Sequence, residues 1–154
     1  MVNTIFGDKT EVTAEELLAA IKKVPENRWR TGDFIHEESQ TCCMVGHGNR
    51  LLSDNPEEYT ASNCGPIDDD EFEFIPPSQI TAGMRRRKKL RNVWSDMSSW
   101  MRGLRKPNSI YITPVIVNDE KSVLYPQPTT KKRVVAMMTD YVTYLKSNND
   151  ETKL

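Results

Sequence analysis

The chain has no long apolar run and few cysteines. None of its segments approaches the ~20 consecutive apolar residues that a transmembrane helix needs. The N-terminal stretch, Met1–Gly7, has neither the basic start nor the apolar core of a secretory signal peptide. Three cysteines, an odd number, do not indicate the disulfide framework of a secreted protein. We therefore expect a cytoplasmic protein with reduced thiols and no membrane partner.

Apolar residues and net charge are also in short supply. Hydrophobic residues make up 37% of the 154 residues, against about 45–50% in an average chain. The net charge is −1, which argues against bulk electrostatic attraction to nucleic acid or membranes. We expect a modest core, substantial loops, and a chain long enough to fold without a metal or a disulfide.

The short motifs of several enzyme classes are absent. The chain has no Walker phosphate loop, no Gly-x-Gly-x-x-Gly dinucleotide loop and no Gly-x-Ser-x-Gly nucleophile motif. The acidic run Asp68-Asp69-Asp70 could coordinate a hard cation, but the EF-hand spacing is missing. The sequence therefore favours a protein without enzymatic activity and without a cofactor.

Two helices are predicted in the first third of the chain. Thr13 and Glu16 form a capping-box pattern ahead of an apolar stripe at helical spacing. A second helix is expected over Cys42–Leu52, although Gly46 and Gly48 each cost about 1 kcal/mol in a helix. The two glycines indicate close approach of another backbone or of a ligand.

A long basic helix is predicted between residues 78 and 104. Apolar residues recur there at spacings of four and three, which is typical of an amphipathic helix with a coiled-coil-like seam. The seam residues are Leu90, Trp94, Met97, Met101 and Leu104. A homodimer through this seam is compatible with the pattern.

The stretch 110–125 is rich in β-branched residues and contains a turn-forming segment. It predicts a hairpin, with Pro114 at a strand edge. A final helix is expected to begin at Thr129 or Thr130. The predicted fold class is α+β, with about four helices and a small antiparallel sheet formed by this hairpin.

Two consecutive prolines, Pro76 and Pro77, mark the clearest boundary in the chain. The N-terminal part, residues 1–75, carries the Cys/His segment. The C-terminal part, residues 76–154, carries the basic helix, the hairpin and the last helix. We expect the two parts to form one compact domain overall.

The Cys/His segment is the place where reactive side chains concentrate. His36, Cys42, His47 and Cys64 could form a zinc site, although their spacing matches no standard finger or ribbon. Alternatively, Cys42 or Cys43 could be a nucleophile at a helix N-terminus, with His47 as its base. The favoured interpretation is that the thiols pack into the core.

The charged residues are segregated along the chain. Residues 51–73 contain eight acidic residues and no lysine or arginine. The next block is basic and includes two tryptophans. Such surfaces suit a protein partner, and a basic helix with aromatic residues also suits nucleic acid. The candidate partner-binding residues are Asp68, Asp69, Asp70, Arg85, Arg86, Arg87, Lys88, Lys89, Arg91 and Trp94.

Residues 16–52 combine three short motifs. These are the helix Glu16–Ile21, the pair Trp29 and Gly32, and the run Cys42-Cys43-Met44-Val45-Gly46. In this combination the segment resembles a small phage and bacterial family of unknown function. The chain departs from that family at His47 and Gly48, where the family has small apolar residues. The resemblance implies a virus- or mobile-element-encoded accessory protein and carries no activity.

The sequence thus favours a small non-enzymatic binding protein that acts on a host protein or assembly through its charged surfaces. A second hypothesis is a Cys/His-site protein, either zinc-binding or a thiol-dependent enzyme. A third is a nucleic-acid-binding protein that uses the basic helix.

Overall fold

The computed structural model describes residues 5–104 and 113–148. Over these residues the chain is helical, and no sheet is formed. The α-helices are α1 (Ala14–Lys22), α2 (Met44–Leu52), α3 (Ala61–Cys64), α4 (Asp69–Glu73), α5 (Ala82–Leu104), α6 (Pro114–Asp119) and α7 (Thr130–Ser147). Two 3-10 turns cover Glu26–Arg28 and Pro77–Gln79. The predicted α+β class with about four helices is therefore wrong.

The predicted hairpin near residues 110–125 is replaced by α6 and an irregular connection. Pro114 occupies the first turn of α6, where no backbone N–H is needed. The Thr113 hydroxyl caps this turn by accepting from the amide of Ile116 at 3.3 Å. β-branched composition was a weak guide, because these two residues together form a good helix start. Residues 110–112 lie outside the described part.

The helix starts read from the sequence are confirmed. In α1, the Thr13 hydroxyl accepts from the amide of Glu16 at 3.1 Å, and the Glu16 carboxylate accepts from the Thr13 amide at 3.2 Å. In α7, the hydroxyl of Thr129 accepts from the amide of Lys132 at 3.2 Å. These bonds depend only on residues three positions apart, so a sequence pattern can predict them.

The glycines of α2 permit close contacts, as their presence in a helix indicated. A Cβ at Gly46 would lie 1.9 Å from the carbonyl oxygen of Phe34. A Cβ at Gly48 would lie 2.9 Å from the Trp94 ring and 3.1 Å from a methyl group of Leu90. The neighbours are therefore the backbone of the preceding loop and the side chains of α5.

Gly46→Ala is expected to lower the free energy of unfolding by about 2 kcal/mol, because the loop around Phe34 must move to admit the methyl group. Urea unfolding of the variant and the parent protein measures the difference. The matched control is Gly103→Ala in the last turn of α5, where no described atom lies within 4 Å of the new Cβ. We expect that change to be neutral or stabilising by up to ~1 kcal/mol. Equal effects of the two changes would contradict the close contact at Gly46.

One hydrophobic core cluster contains residues from both halves of the chain. Helix α1 packs against α7, α2 against α5, and α6 against α7. Within the described ranges, no helix is long and apolar enough to cross a lipid bilayer.

The seam of α5 is part of this core. Leu90, Met97 and Met101 are at most 1% exposed, and Trp94 is half-buried against the core. These side chains are covered by the same chain, so a homodimer through them would require the core to open. The repeat that resembled a coiled coil is satisfied within the molecule.

Candidate functional site

The cysteines surround the start of α2 and are buried. Cys42 and Cys64 are fully buried, and their Sγ atoms lie 3.5 Å apart. Cys43 is also buried and occupies the N-cap position of α2. All three thiols are free. The sequence singles out all three cysteines as candidates. The structure places Cys42 and Cys64 in contact, although they are 22 positions apart in the chain.

The surroundings of the thiols disfavour nucleophilic chemistry. The contact with Cys64 and burial both raise the pKa of the Cys42 thiol. The same contact lowers the pKa of Cys64, while burial opposes that shift. Burial raises the pKa of Cys43. A reactive thiol needs solvent access and a stabilised thiolate, and buried Cys42 and Cys43 have neither.

His47 is fully buried, and both of its ring nitrogens are engaged. Nε2 lies 2.8 Å from the carbonyl oxygen of Arg28, so it must donate its hydrogen there. Nδ1 lies 3.1 Å from Nη2 of Arg50 and accepts from it. Burial, together with the charge of Arg50, lowers the pKa of His47 to about 3. His47 therefore has no lone pair left for a zinc ion or for a thiol proton.

The four residues weighed as zinc ligands do not converge. His36 is exposed, and its Nδ1 lies 2.7 Å from the hydroxyl of Ser39. Both ring nitrogens of His47 are engaged with Arg28 and Arg50. Across residues 5–104 and 113–148, no three His, Cys, Asp or Glu side chains are grouped so that they could hold a metal ion.

Arg50 is the charged centre of this segment, and the sequence pattern did not single it out. Its guanidinium carbon lies 4.4 Å from the centre of the Tyr59 ring, and Nη1 donates to the carbonyl oxygen of Pro56. The guanidinium of Arg28 lies 5.5 Å from the same ring. The available signal was the spacing of Arg50 three residues after His47, which places the two side chains on one helix face.

Asn118 of α6 and Arg133 of α7 were also missed. The side-chain oxygen of Asn118 accepts from the amide of Met44 at 2.8 Å and so occupies the N-terminus of α2. Arg133 donates to the carbonyl oxygens of Val117 at 2.8 Å and of Asn118 at 2.9 Å. Both are buried polar residues with a structural role.

Two of the basic residues proposed for partner binding point into the protein. Arg86 is fully buried and donates to the carbonyl oxygens of Leu52 at 2.8 Å and Gly7 at 2.9 Å. It also donates to the carbonyl oxygens of Lys9 and Ser53. Arg87 is half-buried and donates to carbonyl oxygens of the segment that holds α3. Burial places Arg86 out of reach of a partner, and the guanidinium of Arg87 is engaged with the α3 segment.

The acidic helix α4 lies against the basic helix α5. The Lys88 ammonium lies 4.3 Å from the centre of the Phe72 ring, and Arg91 forms an ion pair with Asp69 at 3.3 Å. Both partners of that ion pair are more than half exposed, so the pair itself adds little stability. The two charged blocks of the sequence therefore neutralise each other in part.

Other candidates remain on the surface. Asp68, Asp70 and Arg85 are exposed, and Lys89 is partly exposed. Among the described residues, Arg85 and Lys89 form no ion pair. These four residues are the part of the predicted partner set that a partner can reach without displacing an internal contact.

Comparison with known proteins adds no relative. No protein-family model, no curated protein and no solved structure matches the chain.

Proposed function

We propose that the protein is a non-enzymatic binding protein that acts on a partner protein through its acidic surface. This acidic surface comprises Asp68, Asp69, Asp70, Glu71, Glu73 and Phe74, on and next to α4. Its partner would present an apolar pocket surrounded by basic residues, because an acidic rim with an apolar anchor is complementary to such a pocket.

The observation that supports this proposal most is the exposure of Phe74. Phe74 is 86% exposed. Five acidic residues and no basic residue lie within the six positions before it. Aromatic side chains surrounded by a polar rim are frequent anchors of protein interfaces. The contacts of Phe72 with Lys88 and of Asp69 with Arg91 connect this surface to the long helix α5.

Binding to nucleic acid through α5 is less favoured. Of the six basic residues between Arg85 and Arg91, Arg86 and Arg87 donate to backbone carbonyls. Lys88 and Arg91 contact α4. Only Arg85 and Lys89 are left from this group, and two charges give a weak, salt-sensitive attraction to phosphates.

The test compares Phe74→Ala with Val123→Ala as bait in affinity capture from the native host, with the captured protein then purified. Val123 is the matched control, since it is 96% exposed and lies outside the acidic surface. We expect Phe74→Ala to weaken the binding of the purified partner at least tenfold in calorimetry, as for an interface anchor. Val123→Ala should leave the dissociation constant unchanged.

A second pair of variants tests the charges. Asp70→Lys should weaken binding, and its effect should shrink at high salt because exposed charges are screened. Arg85→Glu reports on the α5 side, and it should have the larger effect only if nucleic acid is the ligand. If Phe74→Ala and Asp70→Lys both bind like the parent protein, the acidic surface is not the interface.

Origin and location belong to the same proposal. The resemblance over residues 16–52 supports a virus- or mobile-element-encoded accessory protein, and the three free thiols support a cytoplasmic location.

A further inference from the structure

A cleft of about 470 Å³ lies between α1, the end of α2 and the N-terminal residues Ile5 and Phe6. This volume is in the range of small-molecule pockets, which is ~300–1,000 Å³. The cleft is remote in sequence from the acidic surface, and nothing proposed above uses it.

The walls of the cleft are mainly apolar. Ala20, Val24 and Leu51 line it, together with the two N-terminal residues. A hydrocarbon body of modest length could bury its surface against these side chains, which is favourable because apolar area leaves water.

The polar lining has an excess of positive charge. Lys23 and Arg50 line the cleft, and Glu16 is the one acidic residue of its lining. The Glu16 carboxylate is already paired with Lys9, which lowers the pKa of Glu16, and it also accepts from the Thr13 amide. Glu16 is therefore committed to the start of α1.

Arg50 is a buried cation that has only neutral partners. It is 6% exposed, and no carboxylate of the described residues lies within ion-pair distance of it. Its Nη1 and Nη2 meet a carbonyl oxygen and the neutral His47 ring, and its Nε has no hydrogen-bond partner. Burying a charge without a counter-charge is costly. The Tyr59 ring, 4.4 Å away, holds the guanidinium in place.

We propose that this cleft binds a small amphipathic carboxylate. Its charge would be balanced by Arg50 and Lys23, and its hydrocarbon body would lie against Ala20, Val24 and Leu51. An aliphatic monocarboxylate of medium chain length has this combination of one anionic group and one apolar body. The guanidinium is fixed before the ligand arrives, so little ordering is needed on binding.

The test is calorimetry of the full chain with decanoate, below the concentration at which decanoate forms micelles. Decanol is the matched uncharged ligand. We expect saturable binding of decanoate and at least tenfold weaker binding of decanol, since a charge-assisted contact is lost. Equal affinities, or no binding of decanoate, would overturn the proposal.

Variants locate the site. Ala19 is exposed and lines the cleft, so Ala19→Phe should fill the space and abolish binding. Lys23→Gln should weaken binding about threefold, as expected for an exposed charge. Its matched control is Lys22→Gln, which removes one positive charge from the same turn but lies outside the lining. Lys22→Gln should bind like the parent protein.

The test of the cleft does not depend on whether Ala19→Phe folds. If Ala19→Phe fails to fold, the two lysine variants and the decanol comparison still decide the question. Equal loss of affinity in Lys22→Gln and Lys23→Gln would show a bulk charge effect and overturn the assignment to the cleft.

Discussion

Arg86→Met is expected to lower the free energy of unfolding by about 4 kcal/mol. Methionine has a similar length and keeps the apolar stem, but it removes the donors that Arg86 supplies to four carbonyl oxygens. Two of these belong to Leu52 and Ser53, which are buried at the end of α2. A buried polar group that loses its partner costs about 1–3 kcal/mol. Urea unfolding at neutral pH measures the change.

The neighbouring residue supplies the control. Arg85 is exposed on the same helix and carries the same charge, so Arg85→Met should change stability by less than ~0.5 kcal/mol. Arg86→Lys separates charge from geometry, because a lysine cannot donate to four carbonyls in the fork arrangement of a guanidinium. We expect Arg86→Lys to remain clearly destabilised. If Arg86→Met and Arg85→Met unfold at the same urea concentration, Arg86 does not tie α5 to α2.

Acidification from pH 7 to pH 4 is expected to remove about 3 kcal/mol of stability through His47 alone. The folded pKa of His47 is about 3, below the value of about 6.5 in an unfolded chain. The unfolded state therefore takes up the proton first. The stability that His47 contributes is complete above pH 6.5 and declines as the pH falls toward 3. Protonation would also end acceptance from Arg50, since Nδ1 would then carry a hydrogen.

Two measurements check this expectation. Urea unfolding of the parent protein and of His47→Gln at pH 7 and pH 4 gives the part of the pH dependence that His47 causes, because the carboxylates contribute to both proteins. An NMR titration of the imidazole signals gives the pKa directly, and His36→Gln assigns the two histidines. A His47 signal that titrates near pH 6.5 would contradict the buried, neutral ring.

Three neighbouring arginines of α5 have different environments that the sequence does not distinguish. Arg85, Arg86 and Arg87 form one basic run, and the pattern assigns all three to a partner surface. In the helix, successive residues are turned by about 100°. Arg86 therefore enters the core, Arg87 reaches carbonyls near α3, and Arg85 stays exposed. No local signal separates them, because their roles depend on what packs against α5.

The prediction of a hairpin over residues 110–125 is wrong for a related reason. β-branched side chains fit a strand or a helix according to the neighbours that bury them. Here Asn118 caps α2 and Arg133 binds the end of α6, so long-range contacts stabilise a helix. The Thr113 and Pro114 pair was a usable signal for a helix start.

The sequence by itself determined the features that depend on a few neighbouring residues. These are the capping box of α1, the start of α7 and the long helix α5. Each depends on residues three or four positions apart, a spacing that the helix itself sets. The partners of the buried charges were decided by the tertiary structure. Arg86 donates to carbonyl oxygens 34 and 79 positions away. These partners depend on how the whole chain packs, so no short sequence pattern predicts them.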